Sequence, residues 1–226
     1  MKVKLVSYSQ PSSDFVDEGI DDVQDLIAYA ARVSNPSNQF NTETSTRLLN
    51  YLAKHKHWSP FEMVSACLEI ETTRDIARQI LRHRSFSFQE FSQRYADPTT
   101  DLDFEIREAR LQDTKNRQNS VALDPENDED AQLMITWQDM QEEVIETAKN
   151  AYQWAINNGI AKEQARAVLP EGNTVSRMYM NGTLRSWIHY IELRADNGTQ
   201  LEHMQIARAV AQVITEIFPL AEDYIS

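Results

Sequence analysis

The sequence predicts an α+β fold in which one antiparallel sheet packs against long helices, within a single domain spanning residues 1–226. The clearest strand pattern begins at Val64, where apolar and polar side chains alternate as far as Glu71. This is the period of a strand that is buried on one face. From Leu133 to Ala155 the apolar residues instead recur at the spacing of one helix face. A chain of 226 residues is long enough to bury a sizeable core between such elements.

The other elements are predicted from the same periodicities. A strand is predicted at Val3–Tyr8, and Ser59-Pro60 opens a new element because proline fits only a first turn or a loop. A second short strand is predicted at residues 104–107, and an acidic solvated loop at residues 113–130. Helices are predicted at residues 20–33, 42–55, 73–82, 133–157, 161–169, 184–194 and 200–218.

Composition restricts the possible functions. The chain has 35 Asp and Glu against 22 Lys and Arg, for a net charge of -13, which argues against broad binding of nucleic acids or anionic membranes. Its single cysteine, Cys67, excludes an intrachain disulfide and a multi-cysteine metal site, and no metal is predicted. There is no apolar run of membrane-spanning length and no signal-peptide core, so a cytoplasmic location is expected, or the host cytoplasm for a viral protein. Glycine-rich nucleotide loops are absent.

A cationic segment, Arg82-His83-Arg84, stands out in this acidic chain and is followed by an aromatic-rich turn. Such a cluster is more typical of a pocket for a small anion than of a surface that binds a polymer. On a helical wheel Gln79, Arg82 and His83 share one side, whereas Arg84 falls in the apolar arc. Either the helix ends before Arg84, or a buried anion draws that side chain inward. A solvated basic face is the alternative, and the nearby phenylalanines favour the pocket.

Two further arginines lie in apolar settings. Arg194 is at the edge of the apolar stripe of its predicted helix, where a guanidinium needs a partner with two acceptors. Asp196 could be that partner, and a uracil edge or a phosphate is the functional alternative. Arg166 ends a similarly apolar turn. Arginines on separate elements therefore suggest a common anionic ligand.

The spacing of the cationic segment resembles a known family. Arg82-His83-Arg84, followed after seven residues by Ser92, is similar to the R-H-R-x7-S signature of the flavin-dependent thymidylate synthases. More segments match in the same order along the chain, and the resemblance covers His57 to beyond Asp196. They are Ser59-Pro60-Phe61-Glu62 after His57, Gln79, Glu90 to Arg94, Arg166-Ala167-Val168-Leu169-Pro170, Leu184-Arg185-Ser186 and Leu193-Arg194-Ala195-Asp196.

The resemblance implies a homotetramer that methylates dUMP to dTMP, with FAD as cofactor and sites built from several subunits. It further implies that NADPH reduces the flavin and that methylenetetrahydrofolate donates the carbon. The implied dUMP contacts are Gln79, Arg82, Glu90, Ser92, Gln93, Arg94, Arg166 and Arg194. The implied FAD contacts are His57, Ser59, Arg82, His83, Arg84, Glu90, Thr183, Leu184, Arg185 and His189. Arg194 has the implied catalytic role of stabilising charge on the uracil ring.

Some residues need a separate interpretation. His189 stands where many family members carry Asn, and Gly198 where many carry His. Ser92 is interpreted as a substrate-binding hydroxyl, because no His-Asp pair is placed to activate it as a nucleophile. Cys67 follows Val-Ser-Ala on a predicted strand, which favours a packed thiol over a reactive one.

Two functions of other classes are alternatives. Glu143 and Glu146 have the E-x-x-E spacing with which nucleoside-triphosphate pyrophosphatases hold Mg²⁺, although a second acidic pair is missing. Alternatively Arg74, Arg78 and Arg82 could form an RNA-binding surface with the phenylalanines, which the net charge opposes.

Overall fold

The computed structural model describes residues 1–196 and 198–224. The strands, in chain order, are β1 (Lys2–Tyr8), β2 (Ser65–Thr73), β3 (Ser87–Glu90), β4 (Arg110–Gln112), β5 (Ser120–Ala122) and β6 (Val175–Thr183). The helices are α1 (Ser13–Asp17), α2 (Val23–Ala31), α3 (Ser45–Lys54), α4 (Arg74–Ile80), α5 (Pro98–Asp101), α6 (Asp128–Asn157), α7 (Lys162–Ala165), α8 (Leu184–Arg194) and α9 (Leu201–Ile217). Short 3-10 helices cover Pro36–Asn38, Ser59–Glu62, Arg166–Val168 and Pro219–Tyr224.

The main sheet has the strand order β1-β2-β6-β3, and every neighbouring pair is antiparallel. This confirms the predicted α+β class. On β2, Ala66, Leu68 and Ile70 are buried, while Cys67 on the opposite face is half-buried, as the alternation predicts. The helices α4, α8 and α9 pack against the sheet, and the buried Trp187 of α8 donates its indole N–H to the carbonyl of Ala66 at 3.1 Å.

The central strand β6 is not among the predicted elements. Its core-facing residues are Ser176, Met178, Met180 and Gly182, a set without the β-branched side chains that mark most buried strands. A Cβ atom at Gly182 would overlap the ring of Phe86, so the glycine lets that ring lie directly on the strand. Close contact at this point fixes the turn after α4 against the end of β6.

The apolar stripe predicted on α6 is buried only in part. Ala148 and Ala155 are buried, and Ala155 packs with Tyr152. The four large side chains nearer the N-terminus lie on the protein surface, with exposed fractions of 43–57%; they are Leu133, Trp137, Met140 and Val144, termed here the α6 apolar face. The predicted helix is present, and its apolar face is buried within the chain only toward its C-terminal end.

Two further segments differ from the predictions. Phe104 makes a single antiparallel bridge to Thr174, so residues 104–107 do not form a full strand. The acidic segment 113–130 is mostly exposed, although Leu123 is buried, and it contains strand β5. Helix α6 begins at Asp128 under the side-chain cap of Asn127. Among the described residues, no helix is both long and apolar enough to cross a membrane.

Candidate active site

The cationic segment lies in a turn that follows α4. The helix ends at Ile80, and the turn is closed by hydrogen bonds from the His83 amide to the carbonyl of Ile80 and from the Phe86 amide to that of His83. Arg82 and Arg84 are exposed, whereas His83 is half-buried. Of the two alternatives for Arg84, the structure supports the end of the helix, because the guanidinium does not lie in the apolar arc.

His83 and Arg194 meet between this turn and the end of α8. The Arg194 Nε–H donates to His83 Nε2 at 3.0 Å, and the His83 ring contacts the Tyr190 ring edge-on at a centroid distance of 4.9 Å. Burial, followed by the charges of Arg194 and Arg82, lowers the pKa of His83 to about 4. The imidazole is therefore neutral at pH 7, and Nε2 acts as the acceptor. An imidazole was not among the partners predicted for Arg194.

Gln79, one helical turn before Arg82 and His83, belongs to a polar network whose inner members are buried. Its Oε1 lies 3.2 Å from His203 Nδ1, and its Nε2 donates to Gln200 Oε1 at 2.8 Å. His203 Nε2 lies 3.1 Å from the hydroxyl of Tyr190, and both of these side chains are fully buried. Sequence analysis missed His203, Tyr190 and Gln200. One signal was available, because His203 occupies the first position of the apolar stripe of α9, where a polar residue needs a partner.

A second group of predicted residues follows the edge strand β3. Glu90 is held by the Ser176 hydroxyl at 2.7 Å and by Arg74 at 3.5 Å. Two residues on, the Ser92 Oγ accepts from the Arg94 amide at 3.4 Å, so the hydroxyl is bound to the backbone. The buried Gln93 has an Nε2 without a hydrogen-bond partner among the described residues. No histidine contacts Ser92 in the described structure, which agrees with its interpretation as a binding hydroxyl.

Glu163 contacts the two arginines of this second group. Its carboxylate lies 3.5 Å from the Nε of Arg94, and its backbone carbonyl accepts from the Nε of Arg166 at 3.3 Å. Arg94 is exposed and Arg166 is half-buried. We name the residues Glu90, Ser92, Gln93, Arg94 and Arg166 the β3 group, and the residues Gln79, Arg82, His83 and Arg194 the α4–α8 group. No hydrogen bond or ion pair of the described residues joins Arg94 or Arg166 to the α4–α8 group.

A third group surrounds the N-terminus of α8. Thr183 caps this helix by accepting from the Ser186 amide, and the Ser186 hydroxyl donates to the Ser85 carbonyl at 3.4 Å. Arg185 forms an ion pair with Glu62 of the 3-10 helix that begins at Ser59. These contacts join three predicted FAD-binding segments. Leu184 is buried, so it could contact a ligand only through its backbone.

Aromatic side chains, including imidazole rings, lie next to this third group. The His189 ring packs edge-on against Trp58 at a centroid distance of 4.9 Å. His57 is exposed and lies in a cluster with Tyr51 and His55, with ring centroids 6.5 Å and 6.3 Å away. Tyr51 and His55 were not predicted, because the resemblance begins only at His57. Tyr51 also lines an open cavity of about 630 Å³ together with Arg47.

The exposed groups suit a ligand that is both aromatic and anionic. Arg82 and Arg84 offer exposed guanidinium donors to a diphosphate. The turn that carries them contacts the first turn of α8 through Ser85 and Ser186, where helix amides also favour negative charge. Trp58 and His57 supply ring surfaces nearby. This set of donors fits FAD. In contrast, no group of three or more metal-ligating side chains occurs among the described residues.

The alternative functions receive no support from the side chains on which they depend. Glu146 accepts from Asn150 one turn further along α6, which is the arrangement of a solvated helix face. Arg74 and Arg78 are paired with Glu90 and Glu171, respectively. This pairing neutralises two of the three arginines in the basic row considered for RNA binding.

A cavity of about 800 Å³ lies beside the α4–α8 group but is lined by none of the predicted site residues. It is bounded by Trp137 of α6, by Arg110 and Ser120 of the β4–β5 hairpin, and by Gln200. Gln200, through its hydrogen bond to Gln79, is the direct connection between this cavity and the predicted site.

We expect a fall in pH from 7 to 5 to destabilise the protein through His203. Burial, followed by the nearby charge of Arg194, lowers the pKa of His203 to about 3, whereas the unfolded side chain titrates near 6.5. The unfolded state therefore binds more protons below pH 6.5, so this contribution to stability is complete above that pH and is lost as the pH falls toward 3. Between pH 7 and pH 5 the expected loss is about 2 kcal/mol.

Urea unfolding of the native protein and of His203→Asn at both pH values measures this effect. The variant should lose less stability than the native protein between pH 7 and pH 5. An equal loss in the two proteins would show that His203 is not held neutral.

Comparison with solved structures gives the class of the fold. Two structures of a UMP/dUMP methylase, PolB from Streptomyces cacaoi, superpose on the chain with a TM-score of 0.78. The structure with bound 5-Br dUMP is 24% identical and covers 99% of this chain and 93% of its own; that with 5-Br UMP is 25% identical and covers 99% and 92%. The chain therefore shares the fold of this methylase.

Sequence relatives define the family. The family model described as "Thymidylate synthase complementing protein" matches residues 15–220. Two relatives are each 48% identical to the chain over 219 residues: a probable flavin-dependent thymidylate synthase of Paramecium bursaria Chlorella virus 1 and the flavin-dependent thymidylate synthase of Synechocystis sp.. Each alignment covers 97% of this chain and 96% of the relative. The Thermus thermophilus enzyme is 35% identical over 196 residues, covering 86% and 68%. The chain thus belongs to the flavin-dependent thymidylate synthases.

Proposed function

We propose that the protein methylates dUMP to dTMP, with methylenetetrahydrofolate as the carbon donor, NADPH as the reductant and FAD as the bound flavin. The observation that carries this proposal is the contact between Arg194 and His83, beside Gln79. These residues match the family motifs, and the contact positions a guanidinium next to a neutral imidazole. Membership of the family supports the flavin and the reaction class.

In this proposal Arg194 stabilises negative charge on the pyrimidine ring. Its Nε donates to His83, and its terminal nitrogens would face the uracil N3 and O2. Because His83 is neutral, it does not compete with the nucleotide for that positive charge. Gln79 and Arg82 would bind the same nucleotide. A bound FAD would supply the hydride and methylene chemistry.

We further propose that the FAD diphosphate lies against Arg82 and Arg84 and the N-terminus of α8. Thr183, Leu184 and Arg185 begin this helix, and the Arg185–Glu62 pair places Ser59 nearby. His57 and His189 would contact the ring systems of the flavin. Glu90, a member of the β3 group, would also contact FAD.

The active protein is proposed to be a homotetramer whose sites are shared between subunits. The α4–α8 group and the β3 group make separate sets of contacts within one chain, although both are assigned to dUMP. A second subunit that offers its β3 group to the α4–α8 group of the first would complete the site. The α6 apolar face is the surface that suits a neighbouring subunit, because four large apolar side chains in one row are otherwise left in water.

Absorbance and product analysis test the proposed function. The purified protein should show flavin absorbance that changes on addition of dUMP, and should form dTMP when given dUMP, NADPH and methylenetetrahydrofolate. Omission of each reactant in turn provides the controls, and UMP replaces dUMP in a parallel reaction. Failure of the FAD-loaded protein to form dTMP would refute the proposal. The predicted cytoplasmic location stays a prediction.

We expect Arg84→Ala to lower FAD occupancy. The side chain is exposed, so its loss should not disturb the core, while a charge-assisted hydrogen bond to the diphosphate would be removed. The expected effect is about a tenfold weaker affinity for FAD. The ratio of flavin to protein absorbance measures it, with Arg208→Ala on the exposed side of α9 as a control. Unchanged flavin content in Arg84→Ala would exclude the contact.

A further inference from the structure

Two fully buried polar side chains lie between α8 and α9, behind the α4–α8 group. Tyr190 is 1% exposed and His203 is 0% exposed, and their hydroxyl and Nε2 are 3.1 Å apart. A buried tyrosine and a neutral histidine are costly to keep unless their hydrogen bonds are satisfied. The only other polar atom described within hydrogen-bond distance of this pair belongs to Gln79, at 3.2 Å from His203 Nδ1.

The direction of the hydrogen bonds is determined by Glu202 at the other end of the network. Burial alone would raise the pKa of Glu202, but hydrogen bonds and the charge of Arg107 outweigh it, so the pKa lies below its usual range. Arg107 Nη1 is 3.1 Å from the carboxylate. An ionised carboxylate can only accept hydrogen bonds. The Gln200 Nε2, 2.9 Å from Glu202 Oε2, must therefore be the donor.

Each subsequent amide is oriented by the one before it. Since the Nε2 of Gln200 donates to Glu202, its Oε1 accepts from Gln79 Nε2 at 2.8 Å. The Oε1 of Gln79 then faces His203 and accepts from Nδ1–H. Protonation at Nδ1 leaves Nε2 as the acceptor for the Tyr190 hydroxyl. One polarity satisfies every member of the network from Glu202 to Tyr190.

We propose that His203 is a positioning residue, which holds the Gln79 carboxamide with its carbonyl turned inward and its NH₂ toward the nucleotide. This inference rests on the proposed function, because it takes Gln79 as a contact to dUMP. The amide has two hydrogens, and Gln200 uses one of them. The second is available to an acceptor oxygen of the nucleotide. The opposite orientation of the amide would present a carbonyl to that oxygen, and the two acceptors would repel each other.

Two replacements of His203 separate positioning from packing. The shorter carboxamide of His203→Asn can place an N–H close to the position of Nδ1 and continue to donate to Gln79. The longer His203→Gln places its amide close to the position of Nε2, toward Tyr190, and loses the bond to Gln79. We expect His203→Gln to bind dUMP about five- to tenfold more weakly, and His203→Asn to bind within about twofold of the native protein.

Titration of the flavin absorbance with dUMP gives these affinities, and flavin content and thermal unfolding are recorded for each variant. In a Gln79→Ala background, the Asn and Gln variants should bind dUMP equally, because the group that they position is gone. Equal weakening of the two variants in the native background would overturn the inference, since that is the behaviour of a packing role.

The ¹⁵N spectrum of His203 in the native protein provides a test that needs no variant. We expect Nδ1 to be protonated and Nε2 to be unprotonated at pH 7, and the opposite tautomer would refute the inference. A native protein that does not bind dUMP at all would refute the proposed function, and this inference with it. Binding of dUMP with no difference between the Asn and Gln variants would refute the inference alone.

Discussion

Arg194→Ala should abolish dTMP formation while leaving most of the FAD bound. The side chain is half-buried at the end of α8, and its guanidinium is oriented by the hydrogen bond from Nε to His83. A fixed positive charge that meets developing negative charge on the substrate contributes far more than a flexible one in water. Removal of such a group typically costs about 10²–10³-fold in rate, and we expect at least that loss. The FAD contacts are proposed on other residues, so flavin content should change little.

The design of this experiment separates catalysis from binding. Steady-state dTMP formation and the flavin absorbance ratio are measured for the native protein, Arg194→Ala, Arg194→Lys and Arg208→Ala. Lysine keeps the charge but lacks the planar fork, so Arg194→Lys should recover only a small part of the rate. Arg208 is exposed on α9 and serves as the matched control. Loss of flavin with unchanged turnover per bound flavin in Arg194→Ala would contradict the proposed role.

The same variant has an expected effect on the neighbouring histidines. The charge of Arg194 contributes to the low pKa of both His83 and His203, after burial. In Arg194→Ala both pKa values should rise toward 6.5, which NMR titration can follow. A rise at His83 without a rise at His203 would show that the charge acts only through the direct hydrogen bond.

The sequence was sufficient for most of the fold, because periodicity identifies elements that are buried on one face. Strand β2 has apolar residues at every second position and was predicted almost to its ends. Strand β6 was missed, although it pairs with both β2 and β3, because its buried positions include Ser176 and Gly182. Pairing with two neighbouring strands stabilises β6, and the local sequence pattern of β6 does not indicate that pairing.

The candidate site shows a different limit of sequence reasoning. A helical wheel places Arg84 in the apolar arc only when α4 continues past Ile80, where the helix in fact ends. The end of a helix is difficult to predict without a capping residue. The partner of Arg194 lies 111 residues away in the chain, on a different element. Contacts of this kind depend on tertiary packing. Motif matches therefore indicated which residues to consider, and the structure determined how Gln79, His83 and Arg194 are arranged.

The α6 apolar face links the periodicity of the predicted helix to the proposed assembly. A wheel counts apolar residues but does not distinguish a face that packs within the chain from one that packs against another subunit. Met140 and Val144 are more than half exposed, and Val168 lies beside them along an open groove. A second subunit that covers this face would bury the remaining apolar positions of the stripe, as the periodicity of the sequence indicates.

Mixing two inactive variants should restore activity if sites are shared between subunits. Arg94→Ala removes a member of the β3 group, and Arg194→Ala removes a member of the α4–α8 group. Each variant alone has a defect in every site. An Arg94→Ala subunit retains Arg194, and an Arg194→Ala subunit retains Arg94. In a mixed oligomer, some sites therefore combine an intact α4–α8 group from the first with an intact β3 group from the second. With random mixing, about a quarter of the sites would be native.

Co-expression with two different affinity tags, followed by purification on both, yields the mixed oligomers for this assay. The matched control mixes Arg82→Ala with Arg194→Ala, because both residues belong to the α4–α8 group of one chain and no native site can arise. Restored dTMP formation in the first mixture and none in the second would place the two groups on different subunits. Mixed oligomers of Arg94→Ala and Arg194→Ala that stay inactive would instead require both arginines to act from the same chain. The separate contacts of Arg94 with Glu163 and of Arg194 with His83 would then have to rearrange on binding dUMP.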